Sequence, residues 1–446
     1  MSEEEKFRQS NNKGLEGTKK MGKARVQRAD RSQIAVQFAA LDDMIPADHL
    51  VRVVWVMVGE MDLDSFYAGI ESVEGAAGRS AIDPAILISV WLYGVLQGVG
   101  SARELARLCE EHICYRWILG GVSVNYHTLA DFRTEHGDEL DRLLKEGVAA
   151  LLAEGLIDLE ETAQDGMRIR GGAGKNSFHR RETLEKHLKK AEEQDEQLKQ
   201  SDEQSSRKEA AQKRAAKEKV ERLQQALKEL GKIEKQREKA HRKKDRTEPR
   251  TSQTDSDVHI LKMAEGGYRP AVNAEIAVET KQQIILGVDV VNTVDQGQMT
   301  PMLEQIREGY REYPARHLVD KGFVTLSEIE IAEQHGVAVY APIPSNYAPQ
   351  GSEGTALKPT ESHFSAGVQN WLSRMRTEEA KAIYKHRPAS VECTNADARQ
   401  RGYYQVLVRG LKKVRAVLLW FALAHNLLRT YVIRKQRASA LAAIVG

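Results

Sequence analysis

The sequence predicts an α/β protein, a mixed sheet core with a helical N-terminal domain and a helical-hairpin insertion. Three observations lead there. From Pro46 to about Ile157 apolar residues recur at helical spacing, as in Ile82, Ile86, Leu87, Val90, Trp91 and Leu96. From Thr162 to Arg170 the period falls to two, with Ala163, Asp165, Met167 and Ile169 alternating with Gln164, Gly166, Arg168 and Arg170. Residues 180–250, between that strand and the next, contain no aromatic residue and so cannot belong to a compact core.

Taken in order, residues 1–33 read as a flexible basic arm, with Lys19, Lys20, Lys23, Arg25, Arg28 and Arg31 clustered in its second half. Residues 34–158 form the helical domain. Within it the turn Gly98-Val99-Gly100 leads into Ser101-Ala-Arg-Glu104, a capping box, and then into Leu105, Leu108 and Cys109 at apolar spacing. That outline is helix-turn-helix-like, which makes Arg103 and Arg107 candidate DNA contacts, although helical hairpins are common in any α-domain.

The sheet core takes residues 159–178 and 251–446. After the strand at Thr162–Arg170 come strands at Arg269–Val278, Gln283–Val291, His317–Val319 and Val337–Pro342. Met299–Tyr310 and Leu326–Gln334 carry apolar residues three and four apart, giving the order β, β, β, α, β, α, β before C-terminal helices. The insertion, 179–250, reads as two long helices folded back on each other. Leu184, Leu188, Ala191 and Leu198 make one stripe, Val220, Leu223, Leu227 and Leu230 the other, and Ser206-Arg-Lys-Glu209 is a capping box for the second helix. Such a coiled-coil-like hairpin is either a solvated charged arm or one that touches DNA.

The net charge of +2 hides strong polarity along the chain. Residues 32–160 hold 8 Lys or Arg against 21 Asp or Glu, a net of −13. Lys381–Arg437 holds 13 basic residues against Glu392 and Asp397 alone, a net of +11 that points to a polyanion partner. Three cysteines cannot form a disulfide framework for 446 residues, and the start Met-Ser-Glu-Glu-Glu lacks the basic and apolar regions of a signal peptide, so a cytoplasmic protein is expected. The apolar stretch Ala416–Leu428 is shorter than the ~20 residues of a membrane span and contains His425 and Asn426, so no span is expected.

Three acids stand out by context. Asp165 falls on or just after the first strand of the sheet region. Asp320 ends another strand, where Gly322 permits a tight turn that exposes it. Glu392 lies in a helical stretch whose face also presents Asn395 and Arg399, at i+3 and i+7. Each alone is an ordinary turn or surface residue. Together they are what a two-metal phosphoryl-transfer site requires, carboxylates that bridge two divalent ions roughly 3.5–4 Å apart.

In these residues the chain resembles bacterial insertion-sequence transposases of the DDE type, whose catalytic core is ribonuclease-H-like. The resemblance covers almost the whole chain. It is carried by Ile45-Pro-Ala-Asp-His-Leu50, Asp83-Pro84, Leu92-Tyr93-Gly94, Ser101-Ala-Arg103, Arg116-Trp117-Ile-Leu-Gly-Gly121 and Phe132-Arg133 in the helical part. In the core it is carried by Asp165-Gly166, Val319-Asp320-Lys-Gly322-Phe323, Val391-Glu392, Arg409-Gly-Leu-Lys-Lys-Val414 and Leu423-Ala-His-Asn-Leu427.

The resemblance implies a ribonuclease-H-like mixed sheet core and a nucleoid-associated bacterial enzyme that hydrolyses a phosphodiester at each element end and joins the freed 3′ hydroxyl to target DNA. It also implies two Mg²⁺ ions, for which Mn²⁺ can substitute, held by Asp165, Asp320 and Glu392, with double-stranded DNA as partner and a homo-oligomer assembled on it. Tyr384, Arg387, Asn395, Arg399, Arg409, Lys412 and Lys413 would line the DNA. The competing readings are a catalytically inactive DNA-binding relative and a coiled-coil scaffold.

One part of the family's pattern departs. Its Tyr, Arg, Glu, Lys signature is met by Tyr384, Arg387 and Glu392, with four residues rather than three between the last two, and Arg399 stands in place of the Lys. Arg keeps the charge and can fork onto a phosphate. Pro388 predicts a helix break between Arg387 and Glu392.

Other motifs fail on inspection. Gly171-Gly-Ala-Gly-Lys175 lacks the Gly at 169 and the Ser or Thr at 176 of a phosphate loop. Cys109, His112 and Cys114 lack a second ligand pair at zinc spacing. His425, Trp371, Trp420 and Phe421 fall at helical positions and read as structural core.

Overall fold

A computed structural model describes residue 32 and residues 38–72, 80–200, 207–239, 248–345, 347 and 363–445. The chain divides into two compact units, Met1–Ala40 and Leu41–Gly446, and everything below concerns the second. The expected basic arm at 1–33 and the start of the capping box at Ser206 lie outside the described residues.

The N-terminal helices are α1 (Leu50–Gly59), α2 (Asp64–Ala68), α3 (Pro84–Leu96), α4 (Ala102–Glu111), α5 (Ile113–Leu119), α6 (Tyr126–Glu135) and α7 (Gly137–Ala153). Their starts follow local capping chemistry. Asp83 accepts from Ala85 N with Pro84 in the first turn, Ser101 accepts from Glu104 N, and Asn125 accepts from Thr128 N. Helix α3 is apolar all round and correspondingly buried along nearly its whole length. The α3–α4 hairpin closes tightly because residue 94 is glycine, since a Cβ there would fall 2.6 Å from Leu105 Cδ2.

Strand β1 (Glu161–Arg170) leads through the short strand β2 (Phe178–His179) into the insertion, helices α8 (Arg181–Gln200) and α9 (Arg207–Lys239), which returns at β3 (Thr251–Ser252). The two helices share an apolar seam of their own, with Leu184, Ala191, Leu223, Ala226 and Leu230 buried and Leu188, Val220 and Leu227 packed against them. β2 pairs with β3 and closes the base of the hairpin.

Then follow β4 (His259–Lys262), β5 (Tyr268–Glu279), β6 (Ile285–Val291), α10 (Met299–Tyr310), β7 (Arg316–Leu318), α11 (Leu326–Gln334) and β8 (Ala338–Tyr340). The sheet is mixed. β1 lies antiparallel to β5 and parallel to β7, β7 is parallel to β8, and β4 and β6 share the far edge of β5, both antiparallel to it. The sequence pattern finds β1, β5, β6, β7 and β8. It misses β2, β3 and β4, which are too short to show a period.

Helices α12 (Ala366–Met375), α13 (Glu378–Tyr384) and α14 (Cys393–Gln400) precede α15 (Leu411–Val445), whose 35 residues span about 52 Å. Helix α15 joins the two halves. Trp420 stacks near Trp91 and Phe132, with ring centroids 6.1 and 6.0 Å away, and its indole N–H donates to the Arg133 carbonyl at 3.0 Å. Further along, the Asn426 side chain bonds both the N–H and the carbonyl of Ile285 on β6, each at 2.8 Å. One apolar cluster therefore runs from Val51 through the sheet to Leu427. The stretch Leu411–Ala443 is long and apolar enough to cross a membrane, but 78% of its apolar window is buried within the protein.

The opposed charges of the two ends meet here. Arg415 pairs with Asp141 and Arg434 with Glu60 and Glu154, while Lys412, 3.7 Å from Asp138, stays largely exposed. Part of the +11 is thus spent on the acidic helical domain rather than left for a partner.

Candidate active site

Asp165 sits in the interior of β1, opposite Ile276 of β5. It is not on a turn, and what its Asp-Gly dipeptide signals is a close approach. A Cβ at Gly166 would fall into the Asp295 carboxylate and within 2.9 Å of the Asn273 amide nitrogen. Asp320 follows β7, the parallel neighbour of β1. Ala163 is registered against Leu318, so two residues further on Asp165 and Asp320 stand level on adjacent strands. Asp320 is partly exposed, and its Oδ1 caps the turn after it, accepting from Gly322 N at 2.6 Å.

Glu392 reaches the same place by a different route. The expected break at Pro388 does not occur. Proline stands in the first turn of a π-helical segment, Pro388–Glu392, that runs directly into α14, and Arg387 before it already has helical angles. A π-turn absorbs one extra residue per turn. The four-residue spacing between Arg387 and Glu392 therefore still leaves the two on one face. Arg387 Nη1 donates to Glu392 Oε1 at 2.6 Å, and its Nη2 donates to Asp165 Oδ1 at 2.8 Å. One guanidinium holds two of the three acids.

Asn395, on the next turn, donates from Nδ2 to Asp165 Oδ2 at 2.9 Å. Asn395 is 2% exposed, and among the described residues its Oδ1 has no partner, nor has the buried Nε of Arg387. Burial pushes the Asp165 carboxyl up, Arg387 pulls it down, and the carboxylates of Asp320 and Asp295 add to the rise. Tyr384 lies within the same field. Burial raises its hydroxyl pKa against the pull of Arg387, with Asp320, Glu392 and Asp165 contributing further.

The remaining predicted residues are dispersed. Arg399 is exposed at the end of α14, two turns beyond Glu392, where its charge acts on Glu265 in the β4–β5 turn. Arg409 acts on Asp255, a carboxylate that accepts from Gly410 N at the start of α15. Lys412 is 3.7 Å from Asp138, and Lys413 makes no ion pair among the described residues. Arg103 lies 5.1 Å over the Tyr126 ring, and Arg107 is tied to both Glu104 and Glu111. None of these stands beside the acids.

Sequence reasoning missed the polar layer on the other face of β1. Arg168 binds Asp295 through both nitrogens, at 2.7 and 3.0 Å, and Asn273 donates to Asp295 at 2.9 Å. Gln164 Nε2 donates to Glu275 Oε2 at 3.0 Å. Burial, with help from Asp295, pushes the Glu275 carboxyl up to about 8. The alternation along β1 marks these residues as sharing a face, and only the two glycines, 166 and 322, hint that a carboxylate from elsewhere lies against it.

Among the described residues no three His, Cys, Asp or Glu side chains stand close enough to hold a metal ion. The donor set itself is uniformly hard oxygen, the kind that Mg²⁺ and Mn²⁺ take. The orphaned Asn395 Oδ1 lies one bond network away from Asp165, so the residues suit such an ion in kind.

Comparison with known proteins accords with this arrangement. Residues 39–135 match a family described as a transposase domain (DUF772), and residues 351–431 match a transposase DDE domain. The second match contains Tyr384, Arg387, Glu392, Asn395 and Arg399, whereas Asp165 and Asp320 fall outside both. No curated protein and no solved structure matches the chain. Two transposase domains on a single chain, in this order, support a DDE transposase of an insertion sequence.

Proposed function

We propose that this transposase cuts at the ends of its element by metal-dependent hydrolysis, and that Asp165, Asp320 and Glu392 are the acids that do it, on a ribonuclease-H-like core. The observation that carries the reading is the single guanidinium of Arg387 joining Asp165 to Glu392, with Asp320 level with Asp165 on the adjacent strand. A scaffold protein has no need of an arginine that draws together Asp165 and Glu392, which lie far apart in sequence. The sheet, with β1, β7 and β8 parallel and β5 antiparallel between β1 and β6, is compatible with such a core.

In the first step water attacks the phosphorus at the element end, the bond to the 3′ oxygen breaks, and that oxygen leaves as a hydroxyl. In the second the 3′ hydroxyl attacks a target phosphorus, loses its proton, and displaces the target's own 3′ oxygen. Bound between the three carboxylates, two Mg²⁺ ions would activate the attacking oxygen and stabilise the leaving one. The protein's own task is placement. Asn395 fixes the rotamer of Asp165, Gly322 N fixes Asp320, and Arg387 sets the spacing of Asp165 and Glu392. The same forked N–H groups of Arg387 would suit a phosphate oxygen brought beside the acids.

Double-stranded element ends and target DNA would be the partners, with the enzyme acting as an oligomer in the bacterial cytoplasm. Incubating the purified protein with its end DNA, with and without Mg²⁺, tests the reading. Strand cleavage that needs the ion and disappears in Asp165→Ala, Asp320→Ala and Glu392→Ala supports it. End binding without cleavage by the native chain would favour the inactive relative instead.

A further inference from the structure

The turn between β5 and β6 carries Gln283 at φ +57°, in the left-handed region that a side chain seldom occupies and glycine occupies freely. Such a conformation persists where the surroundings hold it in place. Here they do so on both sides. The Gln283 carbonyl accepts from His425 Nε2 at 2.9 Å, the Gln282 carbonyl accepts from Arg429 Nε at 2.7 Å, and Asn426 brackets Ile285, so α15 grips the turn over three residues. What the grip presents is the side chain. Gln283 Nε2 donates at 2.7 Å to the carbonyl of Ala389, the second residue of the π-turn.

We propose that Gln283 is a positioning residue for Glu392. A π-turn lacks the regular i→i+4 ladder and is poorer in hydrogen bonds than the helix around it, and Pro388 brings no N–H of its own. The turn is nevertheless what sets Arg387 and Glu392 on one face. An external donor fixed on Ala389 holds the wide turn open, so α15, through His425 and the turn it grips, sets where the Glu392 carboxylate stands. Glycine would remove the strain at 283 but would leave Ala389 without its donor. This inference rests on Glu392 being one of the three acids.

The test uses the full-length protein with Gln283→Gly, Gln283→Glu and Glu392→Gln. The Gly variant should melt no lower than the parent, because the left-handed backbone suits it. The Glu variant has the same shape but cannot donate. In both, amide exchange over residues 389–396 should quicken about tenfold, the scale of one lost hydrogen bond, with exchange elsewhere unchanged. The Mg²⁺ concentration that half-saturates end cleavage should rise by a similar factor, with end-DNA affinity unaltered. If the Glu variant does not fold, the Gly variant alone decides.

Parental exchange and parental Mg²⁺ dependence in the Gln283 variants, alongside a dead Glu392→Gln, overturn the positioning role. An active Glu392→Gln overturns the assignment of Glu392 instead, and the exchange measurement then still reports whether Gln283 holds the turn.

Discussion

Gly166 and Asp295 fit together because the first has no side chain, and the carboxylate of Asp295 lies where a Cβ at 166 would be. Asp295 is fixed there by Arg168 and Asn273. The glycine after the first acid is therefore a packing requirement of the strand.

Gly166→Ala should accordingly push Asp295 and its partners away from β1, at a cost of about 1–3 kcal/mol in folding stability, as overpacking does. Because Asp165 is the preceding residue, end cleavage should fall more than stability does. A denaturant titration together with a cleavage assay checks both. Parental stability in this variant would mean that Asp295 has room to move.

Arg387→Lys should fail to replace arginine. Lysine is a point donor and cannot hold Asp165 and Glu392 at once from one planar fork. We expect Arg387→Lys and Arg387→Ala both to lose most cleavage, and Arg387→Ala to lose about 1–3 kcal/mol besides, since it leaves the largely buried Asp165 without its cation. Cleavage at parental rates by the Lys variant would dissociate the bridge from function.

Glu275 gives a pH dependence of definite sign. Its pKa is raised from 4.5 to about 8 in the folded state, so the native protein binds a proton that the unfolded chain releases. Its contribution is complete below about pH 4.5 and is lost as pH rises through 8, amounting to a few kcal/mol at most. Stability measured by denaturant between pH 5 and 9 should decline, and Glu275→Gln should flatten the decline. An unchanged slope in that variant would locate the titration elsewhere.

The helical insertion should be removable. His179 and Thr251 are registered partners, so a short loop can replace residues 182–247, and the excised helices take their own apolar seam with them. The shortened protein should show less helical circular dichroism and retain a cooperative thermal transition. Loss of that transition would mean that the hairpin's contacts at its base, such as Glu229 with His259, hold the core together.

The basic residues of the C-terminal region should separate into two groups. Changing Arg399, Arg409, Lys412 and Lys413 to Gln should weaken end-DNA binding and flatten its dependence on salt, as loss of phosphate contacts does. Changing Arg434, which is paired with Glu60 and Glu154, should lower stability and leave the salt slope alone. If the quadruple variant keeps its affinity and its slope, DNA binds on another face.

Much of this was legible in the sequence, and the limits are physical. Met299–Tyr310 and Leu326–Gln334 are found to the residue, because the apolar spacing of an amphipathic helix is encoded within a few neighbours. The positions of Asp165, Asp320 and Glu392 are also readable, each from a local context. The π-turn is not. A proline between Arg387 and Glu392 reads as a stop, whereas in the fold it opens a π-turn whose Ala389 carbonyl accepts from Gln283. Asp295 lies in a loop with no period to mark it, and its importance appears only when Gly166 and Arg168 are seen around it. The count of +11 overstates the charge left for a partner, because it cannot distinguish an arginine facing solvent from one facing Glu154.

The long helix α15 also governs when the molecule can finish folding. Trp91 and Phe132 are synthesised early, and the indole that lies between them belongs to Trp420, near the far end of the chain. Until the ribosome has made that segment, the N-terminal helices carry an open apolar slot, which leaves the nascent protein exposed to aggregation and to chaperones. Shortened translation products that stop before Trp420 would hold the first domain in that unfinished state.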